Sequence, residues 1–325
     1  MENFFGKLPG REFGLRRFVG VKSVALLFVL LVVGVGLGLA LPSGAVAMGA
    51  KPKVAPVFEY KVIDGFSSPE SVISNGKWFY VSNVGAELKP SEKDGDGFIS
   101  VLSSDGTVIE RKFLTGLNAP KGMGIAGGVL YVADIDRIVG FELKTRRRVF
   151  ELDFSAEGTV FLNDITVVDS TTLLVSATDI GRIYAVTLGP DKRFTPIIID
   201  VPGVNGLEFD SINRRLFIVS YAEKKGALSV ISFAHGPGET QDLTGPVGRL
   251  DGVALLPEGK VLFSDWVEFG SAGKLRLFDI ESGKLTEVEL EEASIGPADF
   301  YYDNSTNRIW LPRMVEGKVM IQELK

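Results

Sequence analysis

Residues 250–266 read LDGVALLPEGKVLFSDW. A short apolar run from Leu250 to Leu256 meets the turn Pro257-Glu258-Gly259, and a β-prone run follows as far as Trp266. That order is the grammar of a β-hairpin. It recurs five more times, opening at Pro69-Glu70-Ser71-Val72, Pro120-Lys121-Gly122-Met123, Leu162-Asn163-Asp164-Ile165, Val204-Asn205-Gly206-Leu207 and Pro297-Ala298-Asp299-Phe300. The second residues of the six openings lie 51, 42, 42, 46 and 47 positions apart, a period that belongs to propeller blades. Second strands are predicted at 77–83, 129–134, 173–178, 216–221, 261–266 and 308–314. Third strands are predicted at 97–103, 137–143, 181–188, 226–233, 273–280 and 317–324, and most units add a fourth, as at 107–114 and 285–290. The sixth unit stops at Lys325 without room for a fourth strand, whereas an extra strand-like run, 57–63, precedes the first. Lending that run to the last blade explains both facts and covers an open sheet edge. The sequence thus predicts an all-β six-bladed β-propeller over residues 57–325. Its blades are four-stranded, and an N-terminal strand joining the last blade closes the ring.

The bulk properties of the chain agree. Hydrophobic residues make up 45% of its 325 residues, and 38 glycines favour many turns over long helices. With no cysteine, disulfides and thiolate metal sites are excluded. Residues 1–47 hold five of the 35 basic and two of the 41 acidic residues, leaving the rest of the chain at −9. So acidic a body excludes phosphate-backbone binding, and no nucleic-acid partner is expected. The one basic cluster, Lys144 with Arg146, Arg147 and Arg148, falls between two strands and reads as a solvated hairpin face.

Residues 24–41 are apolar throughout, follow basic residues, and precede Pro42-Ser43-Gly44 and Ala45-Val46-Ala47. A charged start, an apolar stretch and a small-x-small site form the secretory pattern. The apolar run is long enough for a membrane span as well. Residues 1–47 are therefore predicted to be a signal peptide or a retained anchor, with 48–56 as linker. Either outcome exports the propeller to the periplasm or the extracellular side, with membrane contact only through 24–41.

The first strand of each propeller blade lines the central channel, so matched repeat positions form a ring. Here the ring reads Glu70, Lys121, Asn163, Asn205, Asp251 and Ala298. Asn and Asp beside Gly are ordinary turn residues one at a time. Two carboxylates and two carboxamides in register are a set of hard oxygen donors. Such a set suits one divalent cation, Ca²⁺ first, with Mg²⁺, Mn²⁺ or Zn²⁺ admitted. The predicted metal ligands are Glu70, Asn163, Asn205 and Asp251.

Pro69-Glu70, Leu162-Asn163-Asp164, Val204-Asn205-Gly206-Leu207 and Leu250-Asp251-Gly252-Val253 resemble the regucalcin/gluconolactonase family, over the propeller from about Glu59 onward. The resemblance implies a Ca²⁺-type ion at the channel mouth held by a Glu, two Asn and an Asp. It also implies, in many members, hydrolysis of lactones or related esters. Under it Asp251 is both ligand and proton acceptor. Two departures qualify the likeness. Phe161 stands where the family's sugar-lactone hydrolases carry an Arg, which argues against a polar sugar lactone. Lys121 puts a cation into the ring, either to touch substrate or to pair with Glu70.

The function expected is therefore an exported, metal-dependent hydrolase of a lactone or related ester. Asp251 is its catalytic base, and Lys121, Asp164 and Phe161 meet a small-molecule substrate. The alternative is a non-catalytic binding or scaffold propeller whose cation is structural, with residues 85–97 and 233–248 as its longest loops. His235 is the only histidine and reads as a loop residue, which excludes Ser-His chemistry. Strictosidine-synthase-like propellers need an acidic residue from the last blade. Ala298 holds that ring position, and strand alternation turns Asp299 away from it.

Overall fold

The computed structural model describes residues 60–222, 225–234 and 238–325. The leader 1–47, the linker 48–56 and His235 lie outside the described residues, and so do the expectations attached to them. Six antiparallel sheets, each built on four strands, follow one another along the chain. Blade one comprises Pro69–Ser74, Trp78–Asn83, Gly97–Ser103 and Val108–Leu117. Blades two to five begin at the inner strands Pro120–Ala126, Leu162–Asp169, Val204–Asp210 and Leu250–Leu256. Blade six runs outward from Tyr301–Asp303 through Arg308–Arg313 and Lys318–Glu323. Its outermost strand is Lys61–Asp64, paired antiparallel from Lys61 opposite Ile321 to Asp64 opposite Lys318. The closing strand is the one expected from the sequence.

The second strands fall within a residue of expectation, and two third strands, Arg182–Thr187 and Lys318–Glu323, start one residue late for a physical reason. Gly181 and Gly317 were expected to open strands, but both take φ 64°. In that left-handed conformation they end short 3₁₀ turns at 178–180 and 314–316, and extended pairing begins one residue later. The segment 233–248, expected as a loop, is not loop throughout its described residues. It carries Gln241–Asp242, the outer strand of blade four. The basic cluster sits on an exposed hairpin, where Arg146 pairs with Glu110 at 2.9 Å.

Neighbouring blades bury their apolar faces against each other. Phe154, Tyr184, Tyr131 and Phe150 fill one such seam between blades two and three. At the closing seam Phe79 of blade one stacks on Trp310 of blade six, centroids 3.7 Å apart. Near the axis the Asp299 N–H donates to the Glu70 carbonyl at 3.0 Å. Packing and hydrogen bonding thus join the first blade to the last.

Candidate metal centre in the central channel

The ring residues owe their position to a bulge repeated in five blades. In blade one the pairing runs Pro69 opposite Asn83, then Val72 opposite Val81, so Glu70 and Ser71 together face one residue, Ser82. The same one-residue shift follows Pro120, Leu162, Val204 and Leu250. A bulge leaves one N–H outside the ladder and re-aims a side chain. Second-strand serines satisfy that N–H: Ser71 N donates to Ser82 Oγ at 2.9 Å, Asp164 N to Ser176 Oγ at 2.9 Å, and Gly252 N to Ser264 Oγ at 2.8 Å. The residue closing the second strand then fixes the entry to the ring. Asp134 Oδ1 accepts from Asn118 N and Ala119 N, both at 2.9 Å. Asp265 Oδ1 accepts from Arg249 N at 3.1 Å, and Asn83 Oδ1 from Ser67 N at 3.0 Å.

Glu70, Lys121, Asn163, Asn205 and Asp251 all line one cavity of about 410 Å³, and each is at most 5% exposed. Ala298, the sixth ring position, is fully buried in apolar packing with Trp266 and Met314. Asp251 Oδ2 accepts from Trp266 Nε1 at 2.7 Å, and the Asn205 side chain hydrogen-bonds the same carboxylate. Asp251 Oδ1 and Glu70 Oε2 are buried without any hydrogen-bond partner. Unpaired buried carboxylate oxygens are costly unless a cation or a proton meets them.

Electrostatics convey the same strain. Burial pushes Asp251 up to about 7, against the hydrogen bond from Trp266. Burial, then Asp251 and Asp299, lifts Glu70 well above the carboxylate range. Lys121 alone opposes this among the charges named at Glu70, and burial lowers it to about 8. The donor set therefore fits a divalent cation on two grounds intrinsic to the chain. It offers two orphaned carboxylate oxygens from different blades, and it contains oxygen donors only.

Lys121 is not bridged to Glu70. Its ammonium donates to Pro90 O at 2.7 Å and Ala119 O at 3.1 Å, and it lies 4.5 Å from the Phe161 ring centroid. It thereby ties the loop after the second strand of blade one to the channel. Phe161 lines the same cavity, as expected.

Asp164 does not reach this cavity, which corrects its expected contact with substrate. Its Oδ2 accepts from Leu207 N and its Oδ1 from Ile165 N, both at 2.7 Å. It lines a second cavity of about 330 Å³ formed by the later parts of the inner strands. Asp299 turns away from the ring cavity, as expected, and lines the second cavity with Asp164. There Asp299 Oδ2 accepts from Ser71 Oγ at 2.5 Å, and its charge still raises Glu70. Both placements have one cause. The residue after each ring position points at the next inner strand, and Gly122 and Gly252 leave the room. A Cβ at Gly122 would meet Asp164 Oδ1 at 2.5 Å, and one at Gly252 would meet the Asp299 Cα at 2.7 Å.

Trp266 and Thr178 escaped the sequence reading. Thr178 Oγ1 is a third buried, unpartnered atom at this cavity. Both residues end the second strand predicted for their blade, and nothing in the sequence distinguishes them there from ordinary strand-end residues.

No family model and no curated protein matches the chain. Solved propellers do. A gluconolactonase from Xanthomonas campestris superposes with TM-score 0.62 at 13% identity, covering 82% of this chain and 90% of that one. Virginiamycin B lyase from Staphylococcus aureus gives 0.56 at 15% identity over 82% and 100%. The Cps50 (Swd1) propeller domain of Myceliophteria thermophila gives 0.58 at 11% identity over 82% and 100%. The likeness is one of fold. Proteins of quite different purpose share this propeller, so its activity must be argued from the cavity.

Proposed function

We propose that this protein is a divalent-cation-dependent hydrolase of a lactone or related ester, working outside the cytoplasmic membrane. The observation that carries the proposal is the pair of unpartnered oxygens, Glu70 Oε2 and Asp251 Oδ1, at one cavity. Glu70, Asn163, Asn205 and Asp251 would hold the cation, with Ca²⁺ the best match to their chemistry. When bound, such an ion polarises a carbonyl and favours the negative oxygen that develops on it.

The chain's own residues supply the rest. Trp266 Nε1 fixes the Asp251 carboxylate through Oδ2, leaving the unpartnered Oδ1 as proton acceptor. Asp251 takes a proton from water as the water oxygen bonds to the carbonyl carbon. The ring C–O bond breaks, and its oxygen takes up a proton, giving a hydroxy acid. Phe161 and Lys121 border the same cavity, whose remaining walls are largely apolar.

Turnover of lactones and aryl esters that requires Ca²⁺, Mg²⁺, Mn²⁺ or Zn²⁺ and is abolished by Asp251→Asn is the expected result. Tight cation binding with no turnover across the panel would instead make this a binding or scaffold propeller with a structural ion.

A further inference from the structure

Above the floor of ligand oxygens, the walls of the cavity are hydrocarbon. Leu88, Phe161 and Met314 line part of it, and Tyr221, Trp266 and Phe269 line the rest. Trp266 and Phe269 stack with an interplanar angle of 17°, and Tyr221 meets Trp266 edge-on at 5.9 Å. The polar groups sharing these walls are occupied. Asp179 accepts from Thr159 Oγ1 at one oxygen and from Val160 N at the other, both at 2.7 Å. The Tyr221 side chain hydrogen-bonds Arg249. Lys121 is held by two carbonyls against the Phe161 ring. Above the floor, the one buried, unpartnered polar atom among the described wall residues is Thr178 Oγ1. Apolar surface also continues outward. Val160, Val267 and Val315 are each at least 40% exposed, and each adjoins a cavity-lining residue in sequence.

Such walls discriminate by what they leave unpaired. Each substrate hydroxyl buried here without a partner costs roughly tenfold in affinity, whereas each buried methylene gains about fourfold. We infer that the substrate is a lactone or ester whose body is an alkyl chain or aryl ring bare of hydroxyl groups, packed against Tyr221, Trp266 and Phe269. The carbonyl head rests on the hydrolase reading above; the apolar body rests on the walls alone.

The test is equilibrium binding of γ-lactams, the non-hydrolysable counterparts of γ-lactones, to the full chain in calcium. The series carries ethyl, butyl, hexyl, phenyl or polyhydroxylated side groups, and intrinsic fluorescence is read with Trp266 in the wall. Affinity should rise about fourfold per methylene, and the polyhydroxylated lactam should bind at least about tenfold more weakly than butyl. Phe269→Ser, outside the ligand set, should weaken the hexyl lactam about tenfold while calorimetric calcium binding stays unchanged. Trp266→Phe should abolish the fluorescence response. Equal or tighter binding of the polyhydroxylated lactam, or affinity indifferent to chain length, would overturn the inference whether or not the protein hydrolyses anything. Absence of calcium binding and of turnover, with the chain-length trend intact, would overturn the hydrolase reading and uphold the apolar ligand.

Discussion

Asp251→Asn separates a cation site from an ordinary buried acid. Burial holds Asp251 at about 7 rather than its ordinary 3.8. The folded protein keeps that proton over a range where the unfolded chain has lost it. The cation-free fold therefore loses stability as pH rises from about 4 to 7, by about 4 kcal/mol for a shift of some three units. Asparagine has no such titration, and its side-chain oxygen still accepts from Trp266 Nε1. In a chelator at pH 8 the variant should melt about 10 °C above the wild type, taking about 2–4 °C per kcal/mol for a domain of this size. Calcium should narrow that gap. At a hundredfold excess over Kd it adds about 2.7 kcal/mol to the wild type and nothing to the variant. Scanning calorimetry from pH 4.5 to 8, with chelator and with calcium, reads both effects. A cation-free melting temperature flat across that range, together with an equal calcium shift in both proteins, would refute the reasoning.

Trp266→Phe removes the indole hydrogen bond to Asp251 Oδ2; the pH at which calcium binding is half-maximal should move up by about one unit in calorimetric titrations. Gly206→Ala places a Cβ 2.2 Å from the Asp251 carbonyl and should cost about 3 kcal/mol in denaturant unfolding. The control Gly245→Ala, whose Cβ meets nothing within 4 Å, should stay within about 0.5 kcal/mol of wild type. Lys121→Met unties Pro90, so amide exchange in residues 86–92 should quicken about tenfold.

The architecture was legible because it is written six times. Turns, second strands and the run that closes the ring all carry local signals, and repetition removes the ambiguity of any one of them. The ring itself was legible through the same register: its five polar members were found together, along with the buried Ala298. Alternation failed one residue further on. A strand that bulges at Glu70, Asn163 or Asp251 no longer alternates, so Asp164 was assigned the wrong surroundings. Nothing local to Asp164 announces the bulge; the serine that bonds its N–H, Ser176, stands on the neighbouring strand. Of the two roles open to Lys121, the bridge to Glu70 is not made. Its ammonium goes to the Ala119 and Pro90 carbonyls, the latter on a loop whose course the sequence does not specify. Trp266 was unreadable for want of distance information, since its partner Asp251 begins the same blade fifteen residues earlier.

The pairing of Lys61–Asp64 with Lys318–Glu323 imposes an order of events on synthesis. During translation the early strand must wait for nearly the whole chain before its mate emerges, a contact of extreme sequence separation and slow to form. Until then Lys61–Asp64 and Arg308–Arg313 each lack a neighbour, and unpaired strand edges invite pairing with other chains. A chain terminated before Lys318 would keep five complete sheets yet leave both edges bare, so aggregation rather than loss of the channel should be its first symptom. Because every blade but one is local in the chain, this last latch makes the wheel all-or-none.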